Sequence, residues 1–302
     1  MNRNIRTDLA IELHETISPD EEENGIVINK KSSKTGSIET TIIDVINENG
    51  VRNIGKPVGR YITIESGSLS ETDETIHQEL SEELSHNINE MLEGATRIMV
   101  AGLGNRMVTP DALGPLVIDN LYITRHIKQE KGLAQILKSD CLEISGISPG
   151  VMAQTGIETV DILKALCDRV RPEVIIVVDA LAARSSRRLS RTIQLTDTGI
   201  SPGSGVGNNR MAINEETMGM RVIAIGVPMV ISVLSIVSDQ LDRLLSFIPK
   251  ELFPDGADPG DLVYDMADPE IADMFVTPKN IDELIKRISF TISEAINSLI
   301  AT

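Results

Sequence analysis

The run Glu173–Val178, EVIIVV, followed at once by Asp179, constrains the fold more than any other stretch of this chain. A strand with one face in water alternates apolar and polar residues. One that is apolar on both sides must be covered on both faces, and parallel sheets flanked by helices are where such strands occur. The flanking pattern agrees. Arg97–Ala101, Cys141–Ser145, Arg191–Leu195 and Arg221–Gly226 read as further strands. Asp111–Gln129, Thr155–Val170, Pro228–Phe247 and Lys279–Leu299 read as helices between or after them. Ile76, Leu80, Leu84, Ile88 and Leu92 recur every fourth residue, so 71–93 is an amphipathic helix. The expected class is α/β: a mainly parallel sheet with helices on both faces.

The N-terminal part reads differently. Residues 1–24 are polar and end in the acidic run Asp20–Glu23 beyond Pro19, which predicts a loosely held arm. From Gly25 to about Glu65 the stretches IVINK, IETTIIDVI and GRYITIES are separated by Gly, Asn and Pro, which predicts a small antiparallel sheet. Residues 9–70 are therefore assigned to an arm and a small β-rich subdomain, and 71–302 to the α/β domain. Residues 254–270 read as irregular, and no repeat is visible.

Composition removes several functional classes. The net charge of −17 sets up a field that repels phosphate backbones. Aromatic residues are only 2% with no Trp, so no stacking platform for single strands is available. A protein partner is expected and direct nucleic-acid binding is not, although the acidity also serves plain solubility. Cys141 and Cys167 stand alone, without CxxC, and read as ordinary buried thiols. The start MNRNIRTDLAIELHE lacks an apolar core, and no run approaches the roughly 18 apolar residues of a membrane span. A cytosolic protein is expected.

Ligands of open α/β sheets bind at the carboxyl ends of the parallel strands. Two acids fall there. Asp111 lies in GLGNRMVTPDALGP after one strand, and Asp179 directly follows another. Asp111 also suits a helix start, with Thr109 as N-cap and Pro110 in the first turn. An acid at the end of an apolar strand needs a partner or a raised pKa, and a salt bridge to Arg184 would answer equally well. Two neighbouring carboxylates do not both ionise easily, so one stays protonated as an acid while the other serves as a base toward water. That division of labour suits amide hydrolysis. Competing motifs are incomplete: GLGN does not continue as GxGxxG, SPGSGVGNN lacks the Lys of a P-loop, and HExxH and GxSxG are absent. His14, His77, His86 and His126 have no metal-ligand spacing, and His77 and His86 are placed on the exposed side of their helix. Neither metal nor cofactor is expected, although a zinc site built from distant Asp and His stays open. Asp197 and the glycine loop 199–209, with Gly203 and Gly205, are expected to contact a substrate or else to form a surface turn.

Four blocks carry a family resemblance: RTDLAIE (6–12), GLGNRMVTPDALGPLVIDNLYITRH (102–126), SPGVMAQTGIETVDIL (148–163) and VVDALAARSSRRLSRTIQLTDTGISPGSGVGN (177–208). Weaker likeness runs through VIAIGVPMVI into MFVTPKNID. The chain resembles the germination endopeptidase family. The resemblance implies a homotetrameric protease, made as a zymogen, acting in the forespore and spore core on small acid-soluble proteins that coat DNA. Its members were formerly grouped with metalloproteases and later given an aspartic-type mechanism, whose two positions match Asp111 and Asp179. Their substrates are cut after the Glu of a motif resembling Thr-Glu-Ile-Ala-Ser-Glu. Thr7-Asp8-Leu9-Ala10-Ile11-Glu12 is similar, so cleavage between Asp8 and Leu9 is expected, releasing propeptide 1–8, unless RTDLAIE is an ordinary first strand or helix. The family fold is similar to that of hydrogenase-maturing proteases. Runner-up readings are a metal-dependent maturation protease and a non-catalytic nucleotide-binding module with GLGN and GSGVGN as phosphate loops. Between Phe247 and Met274 this chain is shorter than the family pattern.

Overall fold

The computed structural model describes residues 7–14, 25–67, 69, 73–130, 141–207, 210–245 and 269–300. The acidic run Asp20–Glu23 and most of 254–270 lie outside them. The strands are β1 Ile26–Ser32, β2 Glu39–Val45, β3 Gly59–Glu65, β4 Arg97–Gly102, β5 Glu143–Ile147, β6 Val174–Ala183, β7 Thr192–Thr196, β8 Arg221–Ser232 and β9 Phe275–Val276. The helices are α1 Ala10–His14, α2 Glu48–Ile54, α3 Glu74–Leu92, α4 Leu113–Asp119, α5 Arg125–Gln129, α6 Met152–Thr155, α7 Thr159–Val170, α8 Glu215–Met218, α9 Val233–Leu245, α10 Pro269–Ala272 and α11 Ile281–Ser298. Among the described residues one sheet runs in the order β1-β2-β3-β7-β8-β6-β4-β5, with β9 on β8.

Strands β5, β4, β6 and β8 are mutually parallel. Their residues alternate between two cores. Ile98, Val100, Ile176, Val178 and Ile225 face α3, α4 and α11 through Leu84, Val117 and Ile288. Met99, Ala101, Ile175, Val177 and Ala224 face α7 and α8 through Leu163, Cys167 and Met218. Each fully buried aliphatic side chain contributes about 1.5–3 kcal/mol, which is why the EVIIVV run cannot lie at a surface. Cys167 is buried as expected, and burial, with Asp168 nearby, pushes its thiol up to about 11.

Four sequence expectations need correction. The antiparallel strands β1–β3 are not a separate subdomain: β3 pairs with β7, and Ile62 and Ile64 share a core with Leu80 and Ile288. The predicted helix Pro228–Phe247 begins only at Val233, because β8 continues to Ser232 beside β6 and β9. The run VPMVISVLSIV is apolar but for Ser232 and Ser235 and has no periodicity to mark that boundary. The predicted helix Asp111–Gln129 breaks at Asn120–Thr124, where Thr124 turns to β5 and donates its hydroxyl to the Leu142 carbonyl at 2.6 Å. His77 is half-buried between α3 and α11 and bonds Thr291 at 2.7 Å, whereas His86 is exposed beside Glu90.

Candidate active site

Strand β6 outruns its neighbour β4. The last β4–β6 pair is Gly102 with Val178, while β6 continues along β8 to Ala183. Asp179 is therefore inside a strand rather than just after one, on the first residue whose β4 side is uncovered. Alternation puts it on the same face as Ile175 and Val177, and it is 5% exposed. Its carboxylate accepts one backbone bond, from Ala180 N at 2.9 Å. It makes no ion pair with Arg184, which instead gives its backbone N–H to Glu12.

Asp111 arrives from the connection after β4. It ends a short 3-10 turn, Thr109–Asp111, that starts without a side-chain cap on Val108, so Thr109 is not the N-cap. Asp111 Oδ2 accepts the Asn105 backbone N–H at 2.7 Å. The glycines of GLGN owe their presence to close packing here. A Cβ on Gly104, at φ +105°, would lie 2.0 Å from the Asp111 carbonyl oxygen, and one on Gly102 would lie 2.1 Å from that of Gly114. The turn that reads like a fragment of a phosphate loop is shaped to bring Asp111 back over the end of β4.

Both acids line one cleft of about 400 Å³, together with Asn105, Met152, Gly203 and Arg210. Asp179 is held well above the usual carboxylate range, first by burial and then by the negative charge of Asp111, with Asp8 adding to it. Asp111 is half-buried and is also raised by burial, against the Asn105 hydrogen bond. Both shifts favour the protonated carboxyl over the ionised one.

The N-terminal arm enters the same place. Its described part is not loosely held. Leu9, Ala10 and Ile11 are buried, Leu9 completely, against Ile43, Tyr61 and Leu181. Asp8 N donates to Ala182 O at 3.3 Å along the free edge of β6. Asp8 Oδ2 accepts from Ala182 N at 3.0 Å, and Oδ1 accepts the Ser204 hydroxyl at 2.7 Å. The Asp8 carbonyl accepts Lys56 Nζ at 3.0 Å and Gln194 Nε2 at 3.3 Å. Gln194 Oε1 in turn accepts Ala10 N at 2.6 Å. Four residues further on, Glu12 accepts the backbone N–H groups of Arg184 and Ser185, both at 2.8 Å. An apolar triplet flanked by two acids docks where a free strand edge supplies donors; the polarity of residues 1–24 as a whole concealed it.

The family model described as germination protease matches residues 6–259. This chain belongs to the germination protease family. A germination protease of Clostridium perfringens is 39% identical, covering 97% of this chain and 94% of the relative. One of Caldanaerobacter subterraneus is 40% identical over 97% of this chain and 93% of the relative. One of Bacillus thuringiensis is 35% identical over 344 aligned positions, more than the 302 residues here, so that relative carries insertions. Among solved structures, a [NiFe] hydrogenase maturation protease HycI from Thermococcus kodakarensis covers 72% of this chain at 17% identity and a TM-score of 0.35, too loose to carry a functional argument.

Within this germination protease family member, Gly203 and Gly205 do reach the cleft. Gly203 sits at φ +75°, and a Cβ on Gly205 would fall 2.2 Å from Asp8 Oδ2. Asp197 does not join them. It accepts the Arg60 backbone N–H at 2.8 Å and lines a different groove, with Asp44 and Glu90. Among the described residues no three His, Cys, Asp or Glu side chains converge as metal ligands. Lys56 and Gln194 were not singled out from sequence, being solitary polar residues in unremarkable contexts, and Ser204 was read only as part of the glycine loop; only the folded sheet brings the three around Asp8.

Proposed function

We infer that this member of the germination protease family is an aspartic-type endopeptidase in which Asp111 and Asp179 share one proton. The observation that carries the reading is their convergence in one cleft at the carboxyl ends of adjacent parallel strands, with Asp179 raised furthest. Asp179 is the proton-bearing partner and donates to the oxygen of the scissile carbonyl. Asp111, still reached by solvent, takes a proton from a water whose oxygen adds to the carbonyl carbon. As the tetrahedral intermediate collapses, the proton on Asp111 passes to the departing amine nitrogen. The C–N bond breaks, and the hydroxyl proton on the former carbonyl oxygen returns to Asp179. Atoms and charges balance, and the pair ends with the single proton it began with.

The chain is made as a zymogen that cuts itself between Asp8 and Leu9. What supports this is the seating of Asp8 in the cleft of Asp111 and Asp179, with its carbonyl held by an ammonium and an amide donor. Donors placed on a carbonyl oxygen stabilise the charge that develops there during addition. The substrates are small acid-soluble DNA-coating proteins of the spore, the working form is a homotetramer, and the compartment is the spore core.

The test is incubation of the purified chain with such a DNA-coating protein, with and without EDTA, followed by N-terminal sequencing of all products. Fragmentation that survives EDTA, together with a new N-terminus at Leu9, is the expected result. Loss of all cleavage in EDTA, restored by stoichiometric zinc, would transfer the chemistry to a metal. No cleavage under any condition would remove the assignment.

A further inference from the structure

A second cleft, of about 770 Å³, is larger than the one holding Asp111 and Asp179 and shares no residue with it. It lies at the amino end of β8, where Arg221–Ile223 meet the end of β2, the start of β3 and the last turn of α3. Asp179 pairs with Gly226, so this groove begins three to five residues back along β8, about 10–17 Å away. Its carboxylates outnumber its guanidinium groups five to two: Asp44, Glu90, Glu93, Asp197 and Glu215 against Arg60 and Arg221. Asp44 pairs with Arg60 at 2.7 Å, Glu93 with Arg221 at 3.3 Å, and Glu90 with His86 at 3.4 Å. Asp197 and Glu215 have no ion-pair partner among the described residues. Burial holds Asp197 above its ordinary range, and Asp44 adds to the shift against the hydrogen bond and charge of Arg60. Between these charges Val27, Ile46 and Val58 stand 45%, 56% and 51% exposed. Aliphatic surface beside unpaired carboxylates is matched by a partner that is itself aliphatic and positive, such as the stem and head of Lys or Arg.

We propose that this groove is a docking site, remote from the cut bond, for a segment of the protein substrate that combines Lys or Arg with aliphatic residues. Arg221 already shows how such a cation is received. Its guanidinium donates to the Met91 and Leu92 carbonyls at 2.5 and 3.2 Å, at the negative end of α3. The acids are spread along the groove: among the described residues no three His, Cys, Asp or Glu side chains converge as metal ligands, so the charge suits an extended chain better than a single ion. A second copy of this chain also carries −17 and is repelled, as a phosphate backbone is. A substrate that coats DNA, by contrast, must present Lys and Arg to phosphates, so the groove receives the kind of surface by which such a protein holds DNA. The substrate assignment rests on the endopeptidase reading above, whereas the affinity of the groove for a basic segment does not. A short peptide around the cut bond cannot reach both sites, so the groove acts on KM for whole proteins.

Two measurements separate the groove from the cleft, one of them independent of activity. In the first, fluorescence anisotropy follows a labelled peptide, Lys-Leu-Val-Lys-Ile-Arg, binding to the full chain, with Glu-Leu-Val-Glu-Ile-Glu as control. The basic peptide should bind and the acidic one should not. Charge reversal at two exposed rim positions, Glu90→Lys/Glu215→Lys, should weaken binding about tenfold, and Ile46→Ser about threefold. Asp111→Asn, in the other cleft, should leave it unchanged. The second measurement compares cleavage of a DNA-coating protein with that of a short peptide around its cut bond. The double charge reversal should raise KM for the protein about tenfold, with kcat altered less than about twofold. The same variant should cut the short peptide as the wild type does, which also reports that it is folded. Basic-peptide binding that is absent at about 1 mM, or indifferent to either groove variant, overturns the site. Groove-dependent binding with an unaltered KM for the protein overturns its role in substrate capture. Binding by a wild-type chain that cleaves neither substrate refutes the endopeptidase reading and takes the substrate assignment with it. A change of oligomeric state in the double variant, read by light scattering, gives the groove to a second copy and overturns the proposal.

Discussion

Glu12 anchors the docked N-terminal segment, and removing its carboxylate should loosen that segment by a definable amount. The side chain is 3% exposed and accepts the backbone N–H groups of Arg184 and Ser185, with the Thr7 hydroxyl also donating to it. Arg188 stands 3.9 Å away and keeps Glu65 at 2.9 Å as a second partner. Glu12→Ala leaves two buried backbone donors unmatched, each worth about 1–3 kcal/mol. Entry of water into the vacated space offsets part of this, so the net cost is about 3 kcal/mol, or roughly a hundredfold in an equilibrium constant. Hydrogen exchange at the Arg184 and Ser185 amides reads it directly, because these two donate to Glu12. Their protection in the full chain should fall about a hundredfold. Glu12→Gln, which keeps one acceptor, should fall about midway. Unchanged exchange in Glu12→Ala would refute the reasoning and leave the Asp8 and Ala10 hydrogen bonds, with buried Leu9 and Ile11, to anchor the segment. Burial holds the Glu12 carboxyl above its ordinary value, outweighing the donors from Thr7, Arg184, Ser185 and Arg188 that pull it down. A raised folded pKa gives stability that is present in acid and lost as pH rises through it, so acidification should not release the segment through Glu12.

Asp111→Asn and Asp179→Asn should each lower peptide cleavage by at least about a hundredfold with the fold intact; a smaller loss in either would remove that residue from the reacting pair. Asp179→Asn should also raise the thermal midpoint at neutral and alkaline pH but not in acid. The folded wild type holds its proton more tightly than the unfolded chain, so the stability from Asp179 is fully present below the unfolded pKa and is lost as pH rises from there through the folded pKa. Equal midpoints at all pH values would show that Asp179 is not strained by burial. The profile of kcat/KM against pH should be bell-shaped, with ionisation of Asp111 on the acid limb and loss of the Asp179 proton on the alkaline limb. A profile lacking either limb would contradict a shared proton. Gly203→Val should cost about 1–2 kcal/mol of stability through its positive φ, whereas Gly205→Val should chiefly lower cleavage, because its side chain would fall where the Asp8 carboxylate sits; equal losses of activity and stability in both would mark the loop as a plain turn.

Much of the parallel half of the sheet was legible because its strands carry their own evidence. Glu173–Val178 is apolar on both faces, and Asp179 is conspicuous for ending such a run. The cleft followed from topology, since both acids leave strands at the same edge. Local periodicity failed where burial is uniform, as at Pro228–Ser232, and where a tertiary bond interrupts a helix, as at Thr124. Asp197 looked like a partner of the glycine loop by proximity in sequence, but antiparallel pairing of β7 with β3 directs it toward Arg60. Lys56 and Gln194 were invisible, because a residue that serves a site through long-range bonds leaves no spacing to detect. The docked arm was half legible: its likeness to a substrate was readable, its burial was not.

The overrun of β6 beyond β4 also has a consequence for the newborn chain. The edge it exposes receives Asp8, and the partners of Asp8 lie as far as 196 residues downstream. Synthesis proceeds at about 5–20 residues per second, so the stretch Thr7–Glu12 waits roughly 10–40 s for Ser204 to be made. Longer still passes before β8 backs the strand. Closing so long a loop is entropically costly until those contacts exist to reward it. A segment made long before its partners is thus among the last to be seated, and it takes its place on a sheet whose central strands are already assembled.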